Sequence, residues 1–337
     1  MKASASNPIY SVYVVSDGTK YNLTPALISL DISETTQQIA RCATVSITNV
    51  MVGGKWLTGI IGVRDRIFIY ANDGSGNKEV FRGIIWRRDY KSSLMDRELT
   101  FKCYDNLIFL QESEVSEFFE SGQGTKAVVS SIASKWGLKL SYEYESITHA
   151  KLVLRGSLSD VLTSDILDQV KDRSGKDYVI LSDQDTMCIR GVGQNKTVYR
   201  FTRGNNAIST TSKITMEGMI TQVVILGKAD KEDRKPVQAT IVDNNDVYGT
   251  LQKIIDRGSE TTLEEAEAEA RNILKERSVP TKEYEIVAPD VPWIRKGDKV
   301  YTNAGDLANL YMIVTEVNRS ISSRGKKMTL TLKDAPA

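Results

Sequence analysis

The chain of 337 residues has one histidine, His149, and three cysteines, Cys42, Cys103 and Cys188. A single histidine leaves no multi-histidine metal site within one chain and gives histidine-based triad chemistry no support. His149 precedes an apolar strand in Thr148-His149-Ala150 and is expected in a surface or loop position. The cysteines lack metal-ligand spacing and are read as inert thiols of a reducing compartment, with Cys103 on the apolar face of its strand. No apolar run approaches the roughly eighteen residues a membrane span needs, and Met1 to Pro8 holds no signal-peptide core, so synthesis and folding in the cytoplasm are expected.

Charge of one sign is also missing. A formal net charge of +1 supplies no global attraction to nucleic acid or an acidic membrane. Arg82, Arg87, Arg88 and Lys91 form the densest basic group, but only Trp86 and Tyr90 interleave with them, so a solvated strand face is expected and specific nucleic-acid binding is not. Phosphate-loop motifs are absent, and Arg190-Gly191-Val192-Gly193 follows a strand without opening a helix. Asp183-Gln184-Asp185 and Asp243-Asn244-Asn245-Asp246 read as turns and not as metal loops. No catalytic residue, metal or cofactor is expected.

What is present is ordinary globular composition, 41% hydrophobic and 26% charged, in a chain long enough for two to four domains. The most organised stretch runs from Trp293 to Asp334. Lys296-Gly297-Asp298-Lys299-Val300-Tyr301 leads into a β-branched and aromatic run, Leu310 to Val317 is a second strand, and Met328, Leu330 and Leu332 alternate with polar residues in a third. An echo lies between Gly62 and Asp105, where Arg64-Asp65-Arg66-Ile67-Phe68 opens a strand and Leu99, Phe101 and Cys103 share one face of another. The proposed equivalence sets Asp65 against Asp298, Ile67 against Val300, and Leu99, Phe101 and Cys103 against Met328, Leu330 and Leu332. Unrelated antiparallel sheets can share such a strand order, so superposition of the two stretches decides the duplication.

Between these stretches the periodicity changes. Ile9 to Val15, Ile28 to Ile32 and Ala43 to Thr48 read as strands, and Leu107 to Phe119 as a connector leaving the first β region. Thr125 is expected to cap a helix ending at Gly137, Ser157 or Ser159 to open a second ending at Gly175, and Tyr178 to Arg190 to form a hairpin. Ile220 to Gly227 is a strand, Lys228 to Lys235 a solvated loop, and Val247 to Ile255 a short helix. Thr262 with Glu265 fits a capping box for a helix running to Arg277, expected to pack on the C-terminal domain. The expected fold is α+β, mainly β: a first β-barrel over 1–115 completed by about 200–228, an inserted α/β domain over 116–199, and a second β-barrel over 229–337 with a helical insert at about 247–277.

The order of these elements resembles the baseplate hub proteins of contractile phage tails, the late control protein D group and the hubs of prophages and tail-like bacteriocins. Ile28 to Ile32, Val80 to Gly83 with Leu99 to Asp105, Leu158 to Leu162 after Arg155-Gly156, Ile220 to Gly227, and Lys296 to Val300 through Leu332 carry the resemblance. It implies a structural, non-enzymatic chain. Two related barrels per chain would form a homotrimeric ring joining the sixfold tail tube to the threefold central spike, and touching the tape-measure protein's end and other baseplate proteins. Contacts around such a ring would fall near the charged strand entries Arg64, Asp65, Arg66, Lys296, Asp298 and Lys299, for each of which a plain solvated turn is the alternative. A tail-associated peptidoglycan hydrolase or a carbohydrate-binding tail module is the alternative role. The sequence stops at Ala337 directly after the last strand, and the inserted segment has no lysozyme-like or cysteine-peptidase signature, which favours the structural role.

Overall fold

The computed structural model describes residues 2–3, 7–94, 96–229, 234–256 and 262–335. The N-terminal stretch Met1 to Pro8, the turn holding Met95, the run Lys228 to Lys235 and the end at Ala337 therefore lie wholly or partly outside the described residues. The protein is mainly β with smaller helical parts, the α+β class that the alternating segments predict. Among the described residues no helix is long and apolar enough to cross a membrane.

In chain order the first part holds β1 (Lys2–Ala3), β2 (Ile9–Ser16), β3 (Thr19–Asn22), β4 (Leu27–Thr35), β5 (Cys42–Thr48), a two-strand ribbon β6 (Met51–Val52) and β7 (Lys55–Trp56), β8 (Arg66–Asn72), β9 (Asn77–Ser92) and β10 (Arg97–Tyr104). Alternation dictates the packing. Val12 and Val14 of β2, Ile67 and Ile69 of β8, and Leu99, Phe101 and Cys103 of β10 all point into one core, while the intervening residues stay wetter.

Next come β11 (Glu114–Phe119), β12 (Lys139–Glu143), β13 (Leu152–Ser157), β14 (Tyr178–Asp183) and β15 (Thr186–Gly191), with a helix Thr125–Lys135 and a helical stretch Leu158–Ser174 whose middle, Val161–Leu167, is π-helical. Leu107 to Phe119 is not a plain connector. Leu107, Ile108 and Leu110 are buried in the core of this part, and β11 pairs antiparallel with β13. Thr125 does not cap its helix: Gly124 holds that position, and the buried Thr125 hydroxyl meets Ile147 O and His149 instead. Gly137 and Gly175 end their helices at φ 68° and 69° as expected, because a residue without Cβ takes the left-handed exit without strain.

The last part adds β16 (Tyr199–Thr202), β17 (Ser209–Thr215), β18 (Gln222–Leu226), β19 (Val237–Val242), β20 (Gln252–Asp256), β21 (Thr281–Pro289), β22 (Lys299–Ala304), β23 (Leu307–Ser322) and β24 (Gly325–Asp334). The chain divides into two compact units, Met1–Thr211 with Tyr284–Ala337, and Ser212–Glu283.

In the smaller unit β18 is flanked by β19 and β20, and helix Leu263–Arg277 packs Ala266, Ala270 and Leu274 against Val223 and Ile225. That helix starts with the expected Thr262–Glu265 capping box, and its apolar face covers this small sheet. The expected helix over Val247 to Ile255 is also corrected. Only Asn245–Tyr248 is helical, Gly249 breaks out at φ 81°, and Gln252–Asp256 gains ladder bonds by lying parallel to β18.

In the larger unit one fourteen-strand sheet runs β1-β16-β22-β23-β4-β5-β10-β9-β8-β2-β3, and β21 bridges β24 to β17. The antiparallel contact of β4 with β23 joins the N-terminal and C-terminal β regions edge to edge. Two cores result, one around Phe101 and one around Phe201, Met312 and Leu330.

Candidate assembly interface

The turns that enter β8 and β22 have the same construction. Gly62 N–H donates to Asp65 Oδ2 at 2.7 Å, and Arg295 N–H donates to Asp298 Oδ2 at 2.9 Å. A carboxylate that accepts the amide three residues back closes a turn locally, which is why aspartate suits both places. The residue before each aspartate is left-handed, Arg64 at φ 72° and Gly297 at φ 81°. Each of these residues then bonds the long neighbouring strand: Arg64 N–H to Ile85 O at 2.7 Å and Gly297 N–H to Val314 O at 2.7 Å. Ile85 N–H returns to Asp65 O, and Val314 N–H to Asp298 O, both at 2.9 Å.

The register continues the match. Ile67 lies opposite Gly83 and Val300 opposite Met312; Leu99, Phe101 and Cys103 face Tyr90, Arg88 and Ile85, as Met328, Leu330 and Leu332 face Arg319, Val317 and Val314. Each long strand carries an extra residue directly after the turn contact, Trp86 in β9 and Thr315 in β23. The loop before each turn is also held by an arginine, from positions two residues apart in this register: Arg88 Nη1 reaches Thr58 O and Ile61 O, while Arg319 Nη2 reaches Val291 O and Ile294 O. The halves differ at one flank, since β2 is antiparallel to β8 whereas β16 is parallel to β22.

Their surroundings differ more. The second turn is enclosed: Lys296 and Asp298 are 2% and 6% exposed, and a Cβ on Gly297 would sit 2.8 Å from Val179 Cγ1. Arg295 Nε holds both oxygens of the buried Glu34 at 2.9 Å, and Arg41 Nε lies 3.8 Å from the same carboxylate. Lys296 Nζ donates to the carbonyls of Thr35 and Ile39 at 2.9 and 3.4 Å and also to Gln38 O. Arg190 Nη2 pairs with Asp298 Oδ1 at 2.6 Å.

Burial alone would raise the Glu34 carboxyl, but Arg295 and Arg41 outweigh it and hold it at about 2. For Asp298 burial prevails over the Arg295 amide and Arg190, raising it to about 6. Asp105 rises to about 6 for the same reason, against the backbone amides of Arg41 and Leu107, and Lys296 falls to about 8. The first turn is open by contrast, with Val63 59% exposed and Arg64 exposed.

The family described as YQBQ-like matches residues 67–333, which takes in both repeated stretches from their first strands onward. The chain belongs to the YQBQ-like family. Its fold is shared with solved tail proteins at low identity. The 43 kDa tail protein of prophage MuSo2 from Shewanella oneidensis is 11% identical, with a TM-score of 0.72 over 97% of this chain and 98% of that one. A tail protein from Neisseria meningitidis is 15% identical, with a TM-score of 0.71 over 96% of each chain. The Escherichia coli c3393 protein, a type VI secretion system component, is 10% identical, with a TM-score of 0.58 over 92% of this chain and 74% of that one. No curated protein matches.

Within this YQBQ-like chain the six charged strand entries separate into two groups. Arg64 and Arg66 are exposed and Asp65 half-buried at the first turn; Lys299 is half-buried, and Lys296 and Asp298 are inside. Arg66 and Arg82 both pair with Asp185, at 2.7 and 2.9 Å, so the Asp183–Asp185 turn does more than reverse the chain: it ties the β14–β15 hairpin to β8 and β9. Among the described residues no group of acids, cysteines and histidine could hold a metal ion. His149 lies in a loop but is 1% exposed, between Thr125 Oγ1 at 2.9 Å and Gln169 Oε1 at 3.2 Å, and burial lowers its pKa.

Sequence reasoning missed Glu34, Arg41 and the Tyr10–Asp290–Arg319 group, where the Tyr10 hydroxyl donates to Asp290 Oδ2 and Arg319 lies 3.1 Å from Asp290 Oδ1. One signal was available: alternation in Leu30-Asp31-Ile32-Ser33-Glu34 puts Glu34 on the buried face.

Proposed function

We propose that the chain is a structural baseplate hub protein of a contractile tail or tail-like particle, a homotrimer that joins a sixfold tube to a threefold spike. The observation that carries this reading is the shared hydrogen bonding of two turns and the shared register of the three strands that follow each, as a duplication would leave them. Three copies of a chain with two equivalent units present six comparable units, so one ring can meet both symmetries. The shared fold with tail proteins of Shewanella and Neisseria, and with a type VI secretion component, supports the same reading.

The role is structural and not catalytic. The tube, the spike, the tape-measure end and other baseplate proteins are the partners. Residues 116–199 serve as the outer α/β part. Arg64, Asp65, Arg66 and Lys299 lie near contacts around the ring, while Lys296 and Asp298 act from inside by fixing the second turn. Mass photometry across a range of concentrations tests the proposal: a persistent trimer is expected, and a monomer at every concentration contradicts it.

A further inference from the structure

The seam between the two repeats is a ladder. β23 pairs with β24 on one edge, and along Glu316–Ser322 its other edge takes β4, with Arg319 opposite Ile32. The duplication identifies the counterparts of both strands elsewhere in the chain.

On the β23 side the counterpart is the second half of β9. Tyr90 faces Leu99 as Arg319 faces Met328, so Arg87–Ser92 corresponds to the part of β23 that receives β4. This half of β9 pairs with β10 on one edge and, among the described residues, with no strand on the other. Its side chains from Arg87 to Ser92 are all exposed.

On the β4 side the counterpart is β17. β4 flanks β5, which flanks β10; β17 flanks β21, which flanks β24. Ile208 N–H donates to Val287 O at 2.8 Å, and Val287 faces Thr329 as Ser46 faces Thr100. Ile208 therefore stands where Ser29 stands opposite Ser46, and Thr211 falls where Ile32 does. Ser209 and Thr211 are exposed, and among the described residues β17 pairs with β21 alone.

An open strand edge presents unpaired amides and carbonyls that template another strand. Each repeat thus has the edge that its equivalent uses, and among the described residues of one chain one of the two possible seams is made. We propose that Tyr90–Ser92 of one copy pairs antiparallel with the Ser209–Thr211 edge of a second copy, repeating between chains the β4–β23 ladder made within each. The contact is heterologous, because each chain offers one edge of each kind, and its closure at three copies rests on the hub reading above. It sets Tyr90 against Thr211, an aromatic and a β-branched residue, the cross-strand combination that contributes most readily on a sheet. Arg87 and Lys91 keep the edge hydrated until the partner arrives.

The test mixes two singly substituted chains, Tyr90→Cys and Thr211→Cys, under mild oxidation and maps disulfides by peptide mass. An Asp31→Cys, Ser320→Cys double variant, whose sites are partners in the intrachain ladder, is the control. A disulfide linking the two substituted positions across chains is the expected result. An intact trimer in which the control link forms and the interchain link does not overturns the proposed seam and leaves the hub reading standing. Absence of both the trimer and the interchain link counts against both.

Discussion

Asp65 and Asp298 stand 233 positions apart in the sequence and make the same bond, each accepting through Oδ2 the amide of the residue three before it. The first does so at an exposed turn and the second under a cover of buried charge, so removing either carboxylate costs a different amount. Asp65→Ala loses one charge-assisted bond and is expected to cost about 2 kcal/mol. Asp298→Ala also strips Arg190 of its partner in a closed site and is expected to cost about 4 kcal/mol. Urea unfolding midpoints at fixed m check both values.

The left-handed residues before these aspartates predict opposite signs. Arg64→Gly relieves a backbone conformation that costs a residue with Cβ about 1–2 kcal/mol and gives back part of it as unfolded-chain entropy, for a net gain of under about 1 kcal/mol. Gly297→Ala adds backbone strain and forces a Cβ to within 2.8 Å of Val179, so it is strongly destabilising. Thermal unfolding of the two variants side by side shows the contrast.

How far these features could be read from sequence follows from how local they are. The matching turns and strands were legible because period-two burial and an acid at a turn are properties of a few neighbouring residues: Asp65 and Asp298 make the same turn bond, and Cys103 and Leu332 take matching places in their ladders. The charge cluster was not. Alternation places Glu34 inward, yet nothing nearby announces Arg295, its partner from the far end of the chain. Lys296 and Asp298 read as charged strand entries, near ring contacts or in a solvated turn, because their cover, Val179 and Arg190, comes from the inserted segment. Val247 to Ile255 spaces its apolar residues like a helix, but a ladder with β18 outweighs that local preference.

The buried cluster has a pH signature with a definite sign. Glu34, held at about 2 against an ordinary 4.5, contributes stability that is complete above pH 4.5 and lost as pH falls toward 2. Asp105 and Asp298, raised to about 6 from 3.8, act oppositely, because the folded chain binds more protons and loses stability as pH rises from 3.8 to 6. Glu34→Gln is expected to cost about 3–5 kcal/mol at pH 7 and to flatten the acid limb below pH 4.5. Denaturant midpoints from pH 2 to 8 measure both effects.

Lys296 governs the alkaline side. Its ammonium is pushed down to about 8 from 10.5, so the unfolded chain binds the extra proton between those values and stability rises with pH there. Lys296→Met is expected to abolish that rise. It should also lower stability at pH 7, since the carbonyls of Thr35, Gln38 and Ile39 lose their shared donor. Comparing midpoints at pH 8 and pH 10 in both proteins separates the two contributions.

The duplication gives the hub reading its force, and averaging cryo-electron micrographs of the purified oligomer down its axis tests it most directly. A threefold ring of six similar lobes, alternating between the two repeats, is the predicted image. A particle without threefold symmetry, or one in which the two repeats do not alternate around the axis, would contradict it.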